Sequence, residues 1–548
     1  GSGTGEDRRM KSKGFLVLGA ALAMVIGGPA PAAAQEGGAR MERVPDRQPG
    51  EGVGPFRRMV IRGAMLIDGT GAPPRGPVDI VVAGNRIESI RGAGAPGLPL
   101  RPNREPRGAD HEIDATGMYV MPGFVDVHGH NGDPDKAPNA TYGYRLWLAH
   151  GVTTVRGVSL YFGPGGMSAS DRQRSAANTI VAPRLYDYIS LGDWTGGDIE
   201  TPDQARAFVR WAAAQGYHGI KLFNSERGPT TEAAIQEARR LRLGTVAHLG
   251  QGGVAEVNAD RATAMGLHGI THFYGHFESL LRDRRLPAYP NDYNMSDEQW
   301  RFSQVARLAD QIYEPGGPEW RAYLDRLLER NVFLSPTFNI YSAGRDVMRA
   351  RNADWHARYT LPSLQRFFDP SRVHHGSYFW DWTTADEVAW RRFYGPYMRL
   401  ANDFKNMGGR VTAGSDPGYI YQTWGFSYIQ ELEMLQEAGF SPLEVIQAAT
   451  QNGAQEIFEP RGQEAPFGTV RPGMLADLVI VPGTPLSNLK LLYGTGHMRL
   501  NPQTQRVERV GGVRWTVKDG IVYDAPALLE SVARMVEEQR AREGARAQ

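Results

Sequence analysis

Eight short apolar runs rich in β-branched residues, most closing on Gly or a polar side chain, recur between residues 118 and 416. They are MYVMPGFVDVHGH (118–130), VTTVRGVS (152–159), RLYDYIS (184–190), HGIKLF (218–223), GTVAHLG (244–250), GITHFYG (269–275), VFLSPTF (332–338) and RVTAGSD (410–416). Such continuous hydrophobicity suits strands buried on both faces, as in a parallel sheet covered by helices. Helix-like stretches separate most of the runs. One has Thr201 as N-cap, Pro202 at the first position, apolar Ala205, Phe208, Val209 and Ala212 on one side, and Gly216 at its stop. Another opens on the capping box Ser441-Pro442-Leu443-Glu444 and runs to Gly453. Strands and helices in this alternation predict an α/β chain whose residues 117–464 close into a (β/α)8 TIM barrel, with a doubly wound open sheet as the alternative.

The flanks of this region read differently. Residues 58–116 and 465–524 hold short alternating strands punctuated by Gly, Pro and Asp, such as RMVIRGAMLIDGTG and VGGVRWTVKDGIVYD. Neither piece is long enough for a core of its own, so one small β-sandwich built from both ends of the chain is expected. Residues 35–57 are Gly, Pro and charge with little that is apolar, and read as a flexible lead-in. Residues 525–548 read as a charged, helical tail.

Residues 1–34 carry Arg8, Arg9, Lys11 and Lys13, then an uncharged stretch from Gly14 to Gly28, then Ala32-Ala33-Ala34. This is the layout of a signal peptide, which implies export to the periplasm or beyond and no stable membrane span after cleavage. The opposed charges, 61 Lys+Arg against 60 Asp+Glu, leave no field to draw a polyanion, so nucleic acid is excluded as the partner. The absence of Cys excludes thiol nucleophiles, iron–sulfur clusters and Cys-ligated zinc, leaving His and carboxylates for any metal. A small molecule or short peptide is the expected substrate, and assembly into a homo-oligomer is left open.

His128-Gly129-His130 puts two imidazoles at i and i+2 at the end of a strand, on one face. Alone this is weak, since 13 histidines in 548 residues produce about 0.3 such triplets by chance. Position adds weight, because ligand-type residues also finish four other runs: Lys221, His248, His272 and Asp416. Barrel active sites lie at the C-terminal ends of the strands, where all six side chains would converge. At the sixth run His268 falls before the strand and His276 beyond it, so His272 is favoured.

PGFVDVHGH, the Lys of GIKLF, the His of VAHLG, the His of ITHFYG, the Asp of TAGSDPG and the closing GTVRPGMLADLVIV resemble the amidohydrolase superfamily over about residues 58–524. The resemblance implies two divalent metal ions, zinc being the expected metal. His128, His130 and Asp416 would hold the first, His248 and His272 the second, and a carbamylated Lys221 would bridge them. Asp416 would be the catalytic proton acceptor for a metal-bridging hydroxide attacking an amide. Lys221 as an ordinary barrel lysine with a carboxylate partner remains the alternative. Within the superfamily the pattern is similar to the imidazolonepropionase-like and Xaa-Pro dipeptidase-like branch, which implies hydrolysis of a dipeptide or N-acyl amino acid. A lactone, ester or phosphotriester, or a barrel kept only for binding, would be compatible with the same residues.

Residues 341–400 are dense in aromatics and read as an insertion forming a lid or pocket wall, with packed decoration as the plainer reading. His374-His375 within it reads as a surface or lid pair. For a substrate carboxylate, Arg156 at the end of the second run and Tyr274 two residues past His272 are the candidates by strand logic.

Overall fold

A computed structural model describes residues 41–158, 166–193, 198–223, 226–372 and 374–548. The signal-peptide reading of residues 1–34 and the front of the lead-in lie outside them. Before the long parallel region run β1 (Phe56–Leu66), β2 (Arg75–Gly84), β3 (Arg86–Gly92), β4 (His111–Asp114) and β5 (Met118–Pro122). The parallel strands follow as β6 (Phe124–Gly129), β7 (Val152–Val158), β8 (Arg184–Ser190), β9 (Gly219–Leu222), β10 (Gly244–Ala247), β11 (Gly269–Thr271), β12 (Phe333–Ser335) and β13 (Arg410–Val411). Each pairs in parallel with the next. Every residue of β6 to β12 is buried, as strands covered on both faces must be.

This sheet curls until its edges meet. Beyond β13 the chain stays beside β6: Val127 N–H donates to the Ala413 carbonyl at 3.0 Å, and Asp416 N–H to that of His128 at 2.9 Å. Helices cover the outside. Pro202–Ala214 begins on a capping box in which Thr201 accepts from Gln204 N and the Gln204 side chain reaches back, and it buries Ala205, Phe208, Val209 and Ala212. Pro442–Gln447 starts on the same device at Ser441 and Glu444.

Four further strands, β14 (Leu478–Pro482), β15 (His497–Asn501), β16 (Arg506–Val510) and β17 (Trp515–Lys518), precede β18 (Ile521–Asp524). Strands from both ends of the chain join in one sheet of order β18-β17-β14-β5-β1-β2-β3, with β4 beside β1. The seam is the antiparallel pair β5–β14, where Val120 faces Ile480. Ile61, Ile80, Val120, Ile480 and Val517 share its core. β15 and β16 form a separate hairpin.

Two sequence boundaries move. The run 118–130 is not one strand, because Met118–Pro122 belongs to the terminal sheet and the chain crosses at Gly123. A Cβ there would sit 1.9 Å from Thr153 Oγ1, so only glycine permits the approach. The lead-in is not free from residue 41 onward: Val44 is buried, and Arg47 donates to the Asn178 carbonyl at 3.1 Å. Its anchors are one buried valine and bonds to distant backbone carbonyls, which a count of apolar residues does not register. The tail forms a helix, Ala525–Arg546, that buries Leu528, Leu529, Val532 and Val536; its Ser531 Oγ accepts from Arg145 in the helix Thr141–Ala149.

The two sheets are tied by charge as well as packing. Arg184 in β8 donates to Asp477 at 2.6 Å and to Asp519 at 2.6 Å, all three buried. Arg184→Met would leave two carboxylates buried without their counter-charge, at a cost of about 3–5 kcal/mol. Urea unfolding should show the lower midpoint, with partial recovery on adding Asp477→Asn; an unmoved midpoint would contradict the tie.

Candidate metal centre

Strand alternation carries His128, at the end of β6, and His130, just past it, to one face. Asp416 arrives from the segment after β13, and its carboxylate meets three imidazoles. Oδ1 lies 2.9 Å from His130 Nε2 and 3.4 Å from His128 Nε2, and Oδ2 lies 3.6 Å from His272 Nε2. Ligand atoms of His128, His130 and Asp416 all fall within 4.8 Å of one another, close enough for one ion to touch all three. The His248 ring, following β10, is centred 4.7 Å from that of His272. Lys221 in β9 is buried and faces the same cavity, whose lining includes all six side chains.

The groups behind the candidate ligands fix their aim. Thr271 Oγ1 is 2.9 Å from His128 Nδ1, and Thr337 Oγ1 bonds His272 Nδ1. With Nδ1–H donating to the hydroxyl, each Nε2 keeps its lone pair toward Asp416. Asp126, two residues before His128, spans the junction of β6 and the last segment. Its Oδ1 accepts from His128 N at 3.1 Å and Ser415 N at 3.0 Å; its Oδ2 accepts from Trp147 Nε1 at 3.0 Å and from Ser415 Oγ. His272 and Asp416 both hold left-handed backbone, φ 66° and 48°, a conformation costly for non-glycine residues and concentrated at functional sites.

Burial sets the protonation states. It drives the His128 imidazole down to about 3, with Lys221 adding to the effect against Asp416, and it holds His248 and His272 well below the usual histidine range. Burial alone would raise the Asp416 carboxyl, but His128 and His130 hold it well below its ordinary value. Burial, aided by Arg156 and opposed by Asp416, lowers the Lys221 amine to about 7. Asp126 is pushed up to about 6 by burial, against the donors it accepts from. Neutral imidazoles, an ionised carboxylate and a readily deprotonated amine are the forms that bind divalent ions.

The remaining sequence candidates divide. Tyr274 lines the cavity, stacks on His248 at 4.3 Å and bonds the Tyr341 hydroxyl at 2.8 Å. Arg156 does not line it. Its guanidinium lies inside the sheet, 2.5 Å from Glu456, and donates to the Val127 carbonyl at 2.8 Å, so it is spent on a buried ion pair. Strand logic fixes a residue's height and face but not its counter-ion, and Glu456 comes from a distant helix. His268 bonds Thr245 and His276 bonds Tyr323, both away from the cavity lining. His375 does reach the cavity, paired with Glu298. Arg301 and Phe302, from the helix Glu298–Val305, also line it, and no periodicity in the sequence marked them. Asp126 did carry a signal: it shares its strand face with both histidines.

A curled parallel sheet with this ligand set at its C-terminal mouth defines a metal-site hydrolase scaffold. The chain belongs to the amidohydrolase family, which it matches over residues 119–522. It is 31% identical over 153 residues to an N-acyl-D-aspartate deacylase of Alcaligenes xylosoxydans xylosoxydans, covering 26% of this chain and 26% of that protein. Its matches span from about a quarter to just over a third of the curated relatives' lengths. In fold it is similar to a bottromycin amidohydrolase, with a TM-score of 0.58 and 20% identity over 88% of this chain and 91% of that one. A Xaa-Pro dipeptidase with methionine bound in its active site gives 0.54 and 19% over 85% and 100%.

Thr271→Val keeps the shape beside His128 and removes the group that orients it. Affinity for zinc should fall about 10- to 100-fold in a competition titration; unchanged affinity would show that the hydroxyl does not orient the ring.

Proposed function

We propose that this protein is an exported, binuclear metal-dependent hydrolase that cleaves the amide C–N bond of a dipeptide or N-acyl amino acid. The observation that carries the reading is the convergence of His128, His130, Lys221, His248, His272 and Asp416 on one cavity from five strand ends. The donor set fits divalent ions of the zinc type: at His128 and His272, neutral imidazoles whose Nδ1 side is occupied, and at Asp416 a carboxylate held ionised. His128, His130 and Asp416 would hold one ion, His248 and His272 the other. Lys221 is buried with no carboxylate at ion-pair distance among the described residues, Asp416 acting on it only from further off, which suits a carbamate rather than an ordinary barrel lysine. Export rests on the sequence of residues 1–34. We read the curled sheet as the (β/α)8 barrel and the terminal sheet as the small β-sandwich beside it.

When bound, the two ions supply an acidified water and polarise the scissile carbonyl. The chain does the rest. Asp416 accepts the proton of the attacking water and returns it to the departing amine nitrogen, acting first as base and then as acid. Tyr274, stacked on His248, and Tyr341, bonded to it, wall the side of the cavity nearest the second pair of histidines. An N-acyl-D-aspartate deacylase among the relatives, and a dipeptidase among the proteins of like fold, support an acylated amino acid as the substrate class.

Elemental analysis of protein purified with bicarbonate should give two divalent ions per chain, and Lys221→Ala should lower that count and abolish most amide hydrolysis. One ion per chain in the unaltered protein would overturn the bridged site. Asp416→Asn should cut kcat by about 10²- to 10⁴-fold or more. Full turnover in that variant would move the base elsewhere, and preference for lactones or phosphotriesters over amides in a substrate screen would overturn the amide assignment.

A further inference from the structure

Arg301 is a buried cation facing the candidate metal centre without an ion-pair partner. It sits in the helix Glu298–Val305, between β11 and β12, and is 1% exposed. Its Nη1 donates to the Met295 carbonyl at 3.3 Å, while Nε and Nη2 have no hydrogen-bond partner among the described residues. The nearest acidic side chain on its own helix, Glu298, is engaged by His375. Glu278, also buried, accepts from Gly275 N through Oε2 while its Oε1 has no hydrogen-bond partner among the described residues; it is not within ion-pair distance of Arg301, and burial pushes its carboxyl up to about 7. An unpaired guanidinium in a buried site is costly, and the cost is removed when an anion arrives.

The two free atoms define what that anion is. Nε–H and the adjacent Nη2–H form one edge of the guanidinium plane, the edge that grips a carboxylate through two parallel hydrogen bonds. The edge is also held in place. Trp380 N donates to Gln299 Oε1 at 2.9 Å, Trp382 Nε1 to the Gln299 carbonyl at 2.7 Å, and Trp390 Nε1 to the Phe302 carbonyl at 3.0 Å. The aromatic insertion thus clamps the helix on both sides of Arg301, so little ordering remains to be done on binding. Phe302, Ile340, Tyr341 and Tyr419 line the same cavity as Arg301 and Asp416, giving the substrate an apolar wall.

We propose that Arg301 binds the free carboxylate of the substrate, so that the enzyme selects amides ending in an α-carboxylate over neutral ones. This deepens the amidohydrolase reading and rests on it for the bond that is cut. Arg301 is here a specificity residue, and the aromatic insertion is its support.

The test uses the metal-loaded full chain with a panel of N-acetyl amino acids of both hands and their C-terminal carboxamides. The unaltered protein should favour the acids at least tenfold in kcat/KM. Arg301→Gln should raise KM for the acids about tenfold to a hundredfold more than for the carboxamides, and Arg301→Lys should recover part of the difference. Thermal melting should show Arg301→Gln no less stable, because no ion pair is lost; a fall of several degrees would mark a structural role and overturn the proposal. Equal losses on acids and carboxamides, or no preference for acids, would overturn it while leaving amide hydrolysis standing. If neither series is hydrolysed, the amidohydrolase reading fails by itself, and calorimetric binding of the N-acetyl amino acids decides about Arg301. Affinity at least tenfold weaker in Arg301→Gln supports the carboxylate anchor, and equal or undetectable binding to both proteins overturns it.

Discussion

The carboxylate of Asp126 is where fold and site become one object. It takes donors from its own strand, from the segment after the last strand, and from Trp147 in the first covering helix. A parallel sheet can remain open at its edges or curl until they meet, and here the meeting is made at the residues adjoining His128 and Asp416. Sheet closure therefore also sets the distance between these two side chains. Because the carboxylate is fully enclosed, the donors around it must all be present together for its burial to be tolerable.

Around that point the molecule concentrates buried charge, and most of it is matched. Arg156 is set against Glu456, and Arg184 against Asp477 and Asp519. These pairs lie where strands meet helices or where the two sheets meet, and a buried pair of this kind specifies a register more than it adds stability. Two buried cations without an ion pair, Lys221 and Arg301, face the cavity, whereas a third, Lys518, donates to Ser175 away from it. A buried cation can be left without a protein partner where a bound anion supplies the missing charge.

Much of this was legible in the residues. The eight runs, the two capping boxes and the strand-end positions of the histidines follow from periodicity and spacing, and the joining of both chain ends follows from the shortness of each. What escaped has physical reasons. The chain passes from one sheet to the other inside an unbroken apolar run, at Gly123, because strands of both sheets are equally hydrophobic there. Arg156 stands at the right height on the right kind of strand, yet its partner is 300 residues further along the chain. Arg301 lies on a short helix in a long connection, where neither alternation nor helical period singles it out. Connections of this kind owe their geometry to tertiary contacts, here to Trp380, Trp382 and Trp390.

The seam between β5 and β14 joins Val120 to Ile480, so the terminal sheet is completed by strands made after the whole parallel sheet. Until they arrive, β5 presents an apolar edge with no partner, the kind of surface that recruits other chains. Pairing across such a separation is slow, since the loop must close before the contacts reward it. The terminal sheet is therefore complete only once β14, β17 and β18 are free to pair, and the strands made before them need shielding until then.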